Sequence, residues 1–183
     1  KIIYPSNAFD AKGLLISSIN DPNPVLFFEH KLLYRTEKSH VPKDLYNLEI
    51  GKGEIINKGS DITIISYGLG IIWIKNIINE LEKENISIEL IDLRSLIPWD
   101  KEIVFESIKK TNRVLIIHEA NQTSGFGAEI AATINESLFE FLDAPVKRLG
   151  SIDTPTPFGE HLEQEIFWPK SEITSIIKEI IKY

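Results

Sequence analysis

The sequence predicts an α/β protein whose mostly parallel β-sheet is flanked by helices, and three observations favour this class. From residue 61 onward, short apolar runs alternate with longer segments of helical apolar spacing. The run at 86–91 has the composition of a strand in a parallel or half-buried sheet. Asp100 then stands where the N-cap of a following helix is expected.

The first 35 residues predict a strand, a helix and a second strand. Residues 1–4 form the first strand, and apolar spacing indicates a helix over 10–19 that stops at the Asp-Pro-Asn-Pro turn 21–24. Residues 25–28 then predict a buried strand. Two short strands and one helix cannot build a core alone, so we expect them to belong to a larger unit.

Segment 36–58 is polar, contains proline and suits a linker between domains. The regular alternation follows it. The predicted strands are 61–67, 86–93, 113–118 and 145–149, and the predicted helices are 69–83, 101–110, 127–141 and 171–182.

Composition excludes several classes of function. The formal net charge of −7 argues against a general nucleic-acid binder, and no apolar run approaches the roughly 20 residues needed to cross a bilayer. We therefore expect neither nucleic acid nor a membrane among the partners. With no cysteine, the chain has no disulfide, thiolate nucleophile or thiolate metal site. The abrupt start and the lack of methionine lead us to expect a piece of a longer polypeptide.

Two glycine-rich turns invite a phosphate-binding interpretation. Residues 66–70 and 124–129 each lead into a predicted helix, where backbone N–H groups are exposed. Neither has the spacing of a dinucleotide loop or a Walker motif, and no basic residue flanks 124–129. Tight packing is the favoured role of both.

Three polar features remain as candidates. Arg94 lies in a strand-to-helix loop, where either a structural ion pair or a ligand contact is expected. His118 and Glu119 end a strand but point to opposite faces, which favours a structural or interface role. The oxygen-rich turn 21–24 is either a plain turn or a site for a hard cation.

Taken in order, many short segments resemble the beta subunits of thiamine-diphosphate-dependent 2-oxo acid dehydrogenases, whose C-terminal domain is shared with transketolases. Residues 33–35 and 97–100 resemble the branched-chain enzymes more than the pyruvate enzymes. The segments are 10–15, 21–29, 33–35, 59–63, 91–100, 118–120, 125–130, 143–146 and 153–157.

The resemblance implies a domain organisation. Residues 1–35 would be the C-terminal end of a pyrimidine-binding domain, 36–58 a linker, and 59–183 the transketolase-type C-terminal domain. The glutamate and histidine that serve catalysis in the family would lie upstream of Lys1. No catalytic and no cofactor-binding residue is therefore assigned to this chain, and the fragment alone is expected to be inactive.

The implied activity is oxidative decarboxylation of a branched-chain 2-oxo acid, with transfer of the acyl group to a lipoyl-acyltransferase. The implied cofactor of the intact enzyme is thiamine diphosphate with magnesium. The implied partners are an alpha subunit or alpha domain, a second beta subunit, and the subunit-binding domain of the acyltransferase core. The implied compartment is the cytoplasm of a bacterium, or the mitochondrial matrix of a eukaryote.

The family also has a structural potassium ion, and the resemblance places Ser18, Asp21 and Asn23 among its ligands. Alternatives to the whole interpretation stay open. They are a pyruvate dehydrogenase beta subunit, another transketolase-like enzyme such as a deoxyxylulose-phosphate synthase, and a non-catalytic α/β interaction or regulatory module. Residues 33–35 and 153–155 argue against the synthase.

Overall fold

The computed structural model describes residues 1–167 and 170–183. Its elements, in chain order, are β1 (Ile2–Ile3), α1 (Ala8–Asn20), β2 (Leu26–Phe27), α2 (Leu33–Thr36), β3 (Glu54–Asn57), β4 (Ile62–Ser66), α3 (Leu69–Lys83), β5 (Ile88–Asp92), β6 (Ser95–Ile97), α4 (Lys101–Thr111), β7 (Val114–Asn121), α5 (Gly127–Leu138), a 3₁₀ turn (Phe139–Phe141), β8 (Lys147–Ser151), α6 (Glu160–Ile166) and α7 (Lys170–Ile181).

Five strands form the main sheet, in the order β3-β5-β4-β7-β8. The pairs β4–β5, β4–β7 and β7–β8 are parallel, whereas β3 joins the edge antiparallel to β5. The predicted mostly parallel sheet is therefore confirmed. A second sheet has the order β2-β1-β6, in which β1 runs parallel to β2 and antiparallel to β6.

Helices cover both faces of the main sheet. Successive strand residues point to opposite faces, so Ile64 packs with α3 and α7 while Ile65 packs with α4 and α5. In α7 the buried positions Ile173, Ile177 and Ile180 recur at helical spacing against this sheet. Burial on both faces explains why the central strands are almost wholly apolar.

The helix ends follow from side chains near them. The Asp100 carboxylate accepts a hydrogen bond from the Ile103 N–H at 3.3 Å, which confirms it as the N-cap of α4. Asn112 ends the same helix in a left-handed conformation, φ 59°. Asn7 caps α1 by accepting from the Asp10 N–H. No helix among residues 1–167 and 170–183 is long and apolar enough to span a membrane.

Four short elements lie where the sequence predicts none, and the first of them is the single-turn helix α2. Residues 54–57, within the predicted linker, form β3, and residues 95–97, within the predicted loop around Arg94, form β6. Both are edge strands that form by pairing with distant residues, so their own patterns are weak. Residues 160–166 form α6 between the predicted strand 145–149 and the predicted helix 171–182; Trp168 and Pro169 of this stretch lie outside the described residues.

The prediction of a buried strand over 25–28 is wrong in its burial and its length. The strand spans only Leu26–Phe27, and the side chains of Leu26 and Phe28 are 59% and 49% exposed. It pairs with β1 alone, so its outer edge and one face stay open. The predicted helix 127–141 also ends at Leu138, where the 3₁₀ turn takes over.

Candidate functional site

Two polar clusters join the first 36 residues to the main sheet at the carboxyl ends of its parallel strands. One surrounds Arg94, directly after β5, and the other surrounds Glu119, near the end of β7. This edge of an open α/β sheet is where ligands and partners bind most often. We define the two groups as the Arg94 cluster (Ser6, Asp10, Glu54, Asp92 and Arg94) and the Glu119 cluster (Tyr4, His30, Tyr67, Glu119 and Glu163).

Arg94 makes an ion pair with a buried carboxylate of α1. Its Nε donates to Asp10 Oδ2 at 3.0 Å, and its Nη2 lies 2.8 Å from Asp10 Oδ1 as an ion-pair contact. The Asp10 side chain is fully buried, and the same guanidinium also contacts the half-exposed Glu54 of β3. Of the two roles considered for Arg94, the structural ion pair is the one observed.

The backbone of Arg94 holds an uncommon conformation that aims its side chain at α1. Its φ is 57°, in the left-handed region, and its N–H donates to Asp92 Oδ1 at 3.0 Å. Its carbonyl accepts from the Tyr4 N–H at 2.8 Å, next to the pairing of β1 with β6. Both main-chain bonds hold the loop in the shape that places the guanidinium beside Asp10.

Asp92 is fully buried beneath this pair. Ser6 Oγ donates to its Oδ2, and the Arg94 N–H donates to its Oδ1. Burial raises the pKa of Asp92 to about 7, and the neighbouring Asp10 adds to this, whereas the hydrogen bonds and Arg94 lower it. Burial thus favours the protonated form of this carboxyl group well above its ordinary pH range.

Glu119 connects two segments that are far apart in the chain. His30 Nε2 lies 2.9 Å from its Oε1, and the Tyr4 hydroxyl donates to its Oε2 at 3.2 Å. Burial raises the pKa of Glu119 and the nearby Glu163 raises it further, whereas His30 and Tyr4 lower it. Glu119 thus has an interface role, as its position in the sequence favours.

His118 has a packing role on the opposite face of β7. Its imidazole is buried, stacks on the Tyr67 ring, and its Nδ1 lies 2.9 Å from the Ala120 carbonyl. A Cβ added to Gly127 would lie 2.5 Å from His118 Nε2, and one added to Gly125 would lie 2.6 Å from its Cε1. The glycines of turn 124–129 therefore make room for the imidazole, which confirms their predicted packing role.

Turn 66–70 is also filled by packing. Gly68 has a φ of 55°, and a Cβ there would lie 2.7 Å from the Tyr4 ring. Ser66 Oγ donates to the Ile117 carbonyl at 2.7 Å beneath it. The Tyr4 side chain thus occupies the space above the turn, and the predicted packing role of these glycines is confirmed.

A cavity of about 570 Å³ opens beside the Glu119 cluster. Most of its wall is apolar, and five aromatic rings belong to it: Tyr4, Phe28, Tyr67, Phe126 and Phe167. The Glu119 and His30 side chains are among its polar lining residues and are 19% and 25% exposed. The size lies within the range of about 300–1,000 Å³ that is usual for small-molecule sites.

The three residues predicted as potassium ligands lie around one turn. Asp21 Oδ1 accepts from the Asn23 N–H at 2.9 Å and from Asn23 Nδ2 at 3.1 Å, so these two are adjacent. Ser18 Oγ instead donates to the Leu14 carbonyl at 2.7 Å. The Lys1 ammonium contacts Asp21 Oδ2, and this hydrogen bond lowers the pKa of Asp21 to about 2. In this arrangement the Asp21 carboxylate is already paired with the Lys1 ammonium, so a metal cation would have to compete with Lys1 for it.

Among the described residues, no group of three or more His, Asp or Glu side chains could hold a metal ion. The residues that sequence reasoning missed are Tyr4, Ser6, Asp10, His30 and Glu54. Asp10 carried one signal, since a carboxylate on the apolar face of a predicted helix needs a partner. The others show no local pattern.

These features define an α/β domain with an attached strand–helix segment, and the chain belongs to the transketolase C-terminal domain family. The model of that family, described as "Transketolase, C-terminal domain", matches residues 51–173. A solved structure titled "Split gene transketolase, inactive beta4 tetramer" shares the fold, with a TM-score of 0.78 over 99% of this chain and 57% of that chain, at 23% identity.

Similar sequences within the family include beta subunits of 2-oxo acid dehydrogenases. The chain is 47% identical over its whole length to 2-oxoisovalerate dehydrogenase subunit beta 2, mitochondrial, of Arabidopsis thaliana, of which it covers 51%. It is 44% identical over 99% of its length to the pyruvate dehydrogenase E1 component subunit beta of Porphyra purpurea, of which it covers 54%. The chain thus spans about half the length of the curated relatives it matches.

Proposed function

We propose that this chain is the C-terminal part of the beta subunit of a branched-chain 2-oxo acid dehydrogenase. The observation that carries the proposal is the 47% identity, over the whole chain, to a 2-oxoisovalerate dehydrogenase beta subunit. The intact alpha/beta enzyme would oxidatively decarboxylate a branched-chain 2-oxo acid and pass the acyl group to a lipoyl-acyltransferase.

The role of this chain would be to assemble the enzyme and to hold the preceding domain in place. The Arg94 cluster and the Glu119 cluster both fasten the segment 1–36 to the main sheet, and β1 pairs with β6 between them. Residues 1–35 would be the end of a pyrimidine-binding domain, as their resemblance implies. The contacts would then set the orientation of that domain.

Thiamine diphosphate with magnesium would supply the electron sink for decarboxylation in the intact enzyme. The two glycine turns of this chain are packed by Tyr4 and His118, and the described residues offer no carboxylate cluster for magnesium. The chain's own part would therefore be to support the cofactor-binding halves of the enzyme and not to contact the cofactor.

The proposed partners are an alpha subunit or domain, a second beta subunit, and the subunit-binding domain of the acyltransferase. The net charge of −7 suits a basic docking partner, and large apolar side chains such as Leu15, Ile19 and Phe139 are exposed for contacts with other subunits. Docking on the acidic surface should weaken as salt is added, whereas an affinity independent of salt would contradict it. The compartment would be the bacterial cytoplasm, or the mitochondrial matrix in a eukaryote.

A potassium site at Ser18, Asp21 and Asn23 remains a proposal for the intact protein. It requires Lys1 to leave Asp21, because both cations would compete for one carboxylate. Replacing sodium by potassium should then raise the melting temperature, and more so in the Lys1→Gln variant. Equal melting temperatures in both salts would contradict the site.

The experiment that tests the proposed activity compares two substrates in the intact protein with its alpha partner. Decarboxylation of 3-methyl-2-oxobutanoate and of pyruvate would be followed with an artificial electron acceptor. We expect a clear preference for the branched substrate.

A pyruvate dehydrogenase is the second candidate, because the Porphyra purpurea subunit is 44% identical along the chain. A preference for pyruvate would move the protein to this subclass. Failure to turn over either substrate, with both subunits folded and thiamine diphosphate present, would contradict both candidates.

A further inference from the structure

We propose that the cavity beside Glu119 binds an organic cation, specifically a group that carries an ammonium or guanidinium on an apolar or aromatic body. The inference goes beyond the proposed activity. It rests on the charge balance of the Glu119 cluster, the lining of the cavity, and its place at the carboxyl edge of the sheet.

As a first step, the hydrogen bonds of the His30 ring indicate which of its nitrogens carries the hydrogen. The Leu32 N–H donates to His30 Nδ1 at 3.2 Å, so this nitrogen carries the lone pair. The hydrogen of the ring then lies on Nε2 and is donated to Glu119 Oε1 at 2.9 Å. Both contacts are satisfied by a neutral imidazole. A doubly protonated ring would lose the bond from Leu32.

The second step concerns the partners of the carboxylate. Its other oxygen accepts from the Tyr4 hydroxyl, which is also a neutral donor, and burial raises the pKa of that phenol. Among the residues whose side chains the structure describes, no lysine or arginine forms an ion pair with Glu119. Glu163 of α6 is close enough to raise the pKa of Glu119, so it adds negative charge. The mostly buried carboxyl group of Glu119 is thus paired with no described lysine or arginine, so its ionised form is costly, and a bound cation would stabilise that form.

The third step concerns the shape of the space in front of that carboxylate. The aromatic rings of Tyr4, Phe28, Tyr67 and Phe126 line the same cavity. The faces of aromatic rings attract ammonium and guanidinium groups. A mostly apolar lining with one carboxylate favours a cation with an apolar body over a bare metal ion, which would need several oxygen ligands.

The test uses the intact protein and three soluble probes of nearly equal shape: benzylammonium, benzyl alcohol and benzoate. Isothermal titration calorimetry and ligand-observed NMR would measure their binding. We expect benzylammonium to bind, benzyl alcohol to bind about tenfold or more weakly, and benzoate not to bind. A loss of about tenfold corresponds to one partly buried charge pair.

Variants separate this site from non-specific attraction to an acidic protein. Glu119→Gln should weaken benzylammonium binding about tenfold, as the loss of one charge pair predicts. Glu163 is exposed, so it can be changed without unfolding the chain. Glu163→Gln should weaken benzylammonium binding about two- to threefold. Glu106→Gln, on the outer face of α4 beside Lys109, is the matched control and should leave binding unchanged.

Several results would overturn the proposal. One is equal binding of benzylammonium and benzyl alcohol, and another is an effect of Glu106→Gln as large as that of Glu163→Gln. Absence of any benzylammonium binding by the intact protein would also overturn it. Because Glu163 is exposed, the result with its variant decides the matter even if Glu119→Gln fails to fold.

Discussion

Replacing Arg94 by methionine should release α1 from the main sheet. The change removes the guanidinium but keeps most of the side-chain stem, and both residues have the same difficulty with a φ of 57°. The loss of α1 stability in this variant therefore measures the ion pair and not a change in backbone strain. Asp10 would be left as a fully buried carboxylate without its cation.

The structure sets the size of the effect. Removing one partner of a buried ion pair costs about 3–5 kcal/mol, because the remaining charge is uncompensated. The second contact, to the half-exposed Glu54, contributes at most about 1 kcal/mol. Hydrogen exchange of the α1 amides should accordingly become about two to four orders of magnitude faster in Arg94→Met.

Two comparisons can refute this reasoning. Glu54→Gln is the matched control and should change the exchange of α1 less than tenfold, about 1 kcal/mol. The double variant Asp10→Asn with Arg94→Met should be more stable than Arg94→Met alone, because the stranded charge is gone. Unchanged α1 protection in Arg94→Met, or equal effects at Glu54 and Arg94, would show that the ion pair does not hold the helix.

Three further predictions concern the core around these clusters. Burial raises the pKa of Asp92 from 3.8 to about 7, so the stability that its protonated form contributes is present at low pH and is lost as the pH rises from about 4 to about 7. Over that pH range, the melting temperature of Asp92→Asn should rise relative to that of the parent. A constant difference between the two melting temperatures would contradict this. Gly127→Ala should cost about 1–3 kcal/mol of unfolding free energy by colliding with His118, and His118→Ser should relieve the cost in a double-mutant cycle. Ile177→Ala should cost about 2–5 kcal/mol in urea unfolding because the side chain is fully buried, whereas the exposed Ser175→Ala should cost little.

The central elements could be predicted because their patterns are local. The helix predicted over 69–83 is observed as Leu69–Lys83, and the run 86–93 contains the strand Ile88–Asp92. Strands buried on both faces are mostly apolar, and helices buried on one side show apolar residues that repeat every 3.6 positions. These signals lie within one segment and need no knowledge of distant partners.

The edge elements could not be predicted because they depend on pairing. Residues 54–57 become a strand only by joining β5, and residues 95–97 only by joining β1. Their own residues are few and partly polar, so the sequence favours a linker and a loop. The same reason explains the misjudged burial of Leu26 and Phe28, whose environment depends on strands that are not sequence neighbours.

The sequence indicated some residues of the candidate site but not their partners. Arg94 is a candidate because it follows a predicted strand, and His118 and Glu119 are candidates because they end one. Their partners do not, since Asp10 lies 84 residues and His30 lies 89 residues from the groups they contact. Local spacing indicates where a polar residue stands in the fold, but the identity of its partner is a property of the tertiary structure.

The two clusters differ in charge balance, and this difference separates attachment from binding. In the Arg94 cluster a cation meets a buried anion directly, so its removal should detach α1. In the Glu119 cluster the donors are neutral, and a glutamine at 119 can still accept from His30 through its oxygen and donate to the Tyr4 oxygen through its amide. Glu119→Gln should therefore leave the segment in place while it abolishes the charge that a cation requires. Attachment without binding in this variant, and loss of attachment in Arg94→Met, would assign the two functions to different clusters.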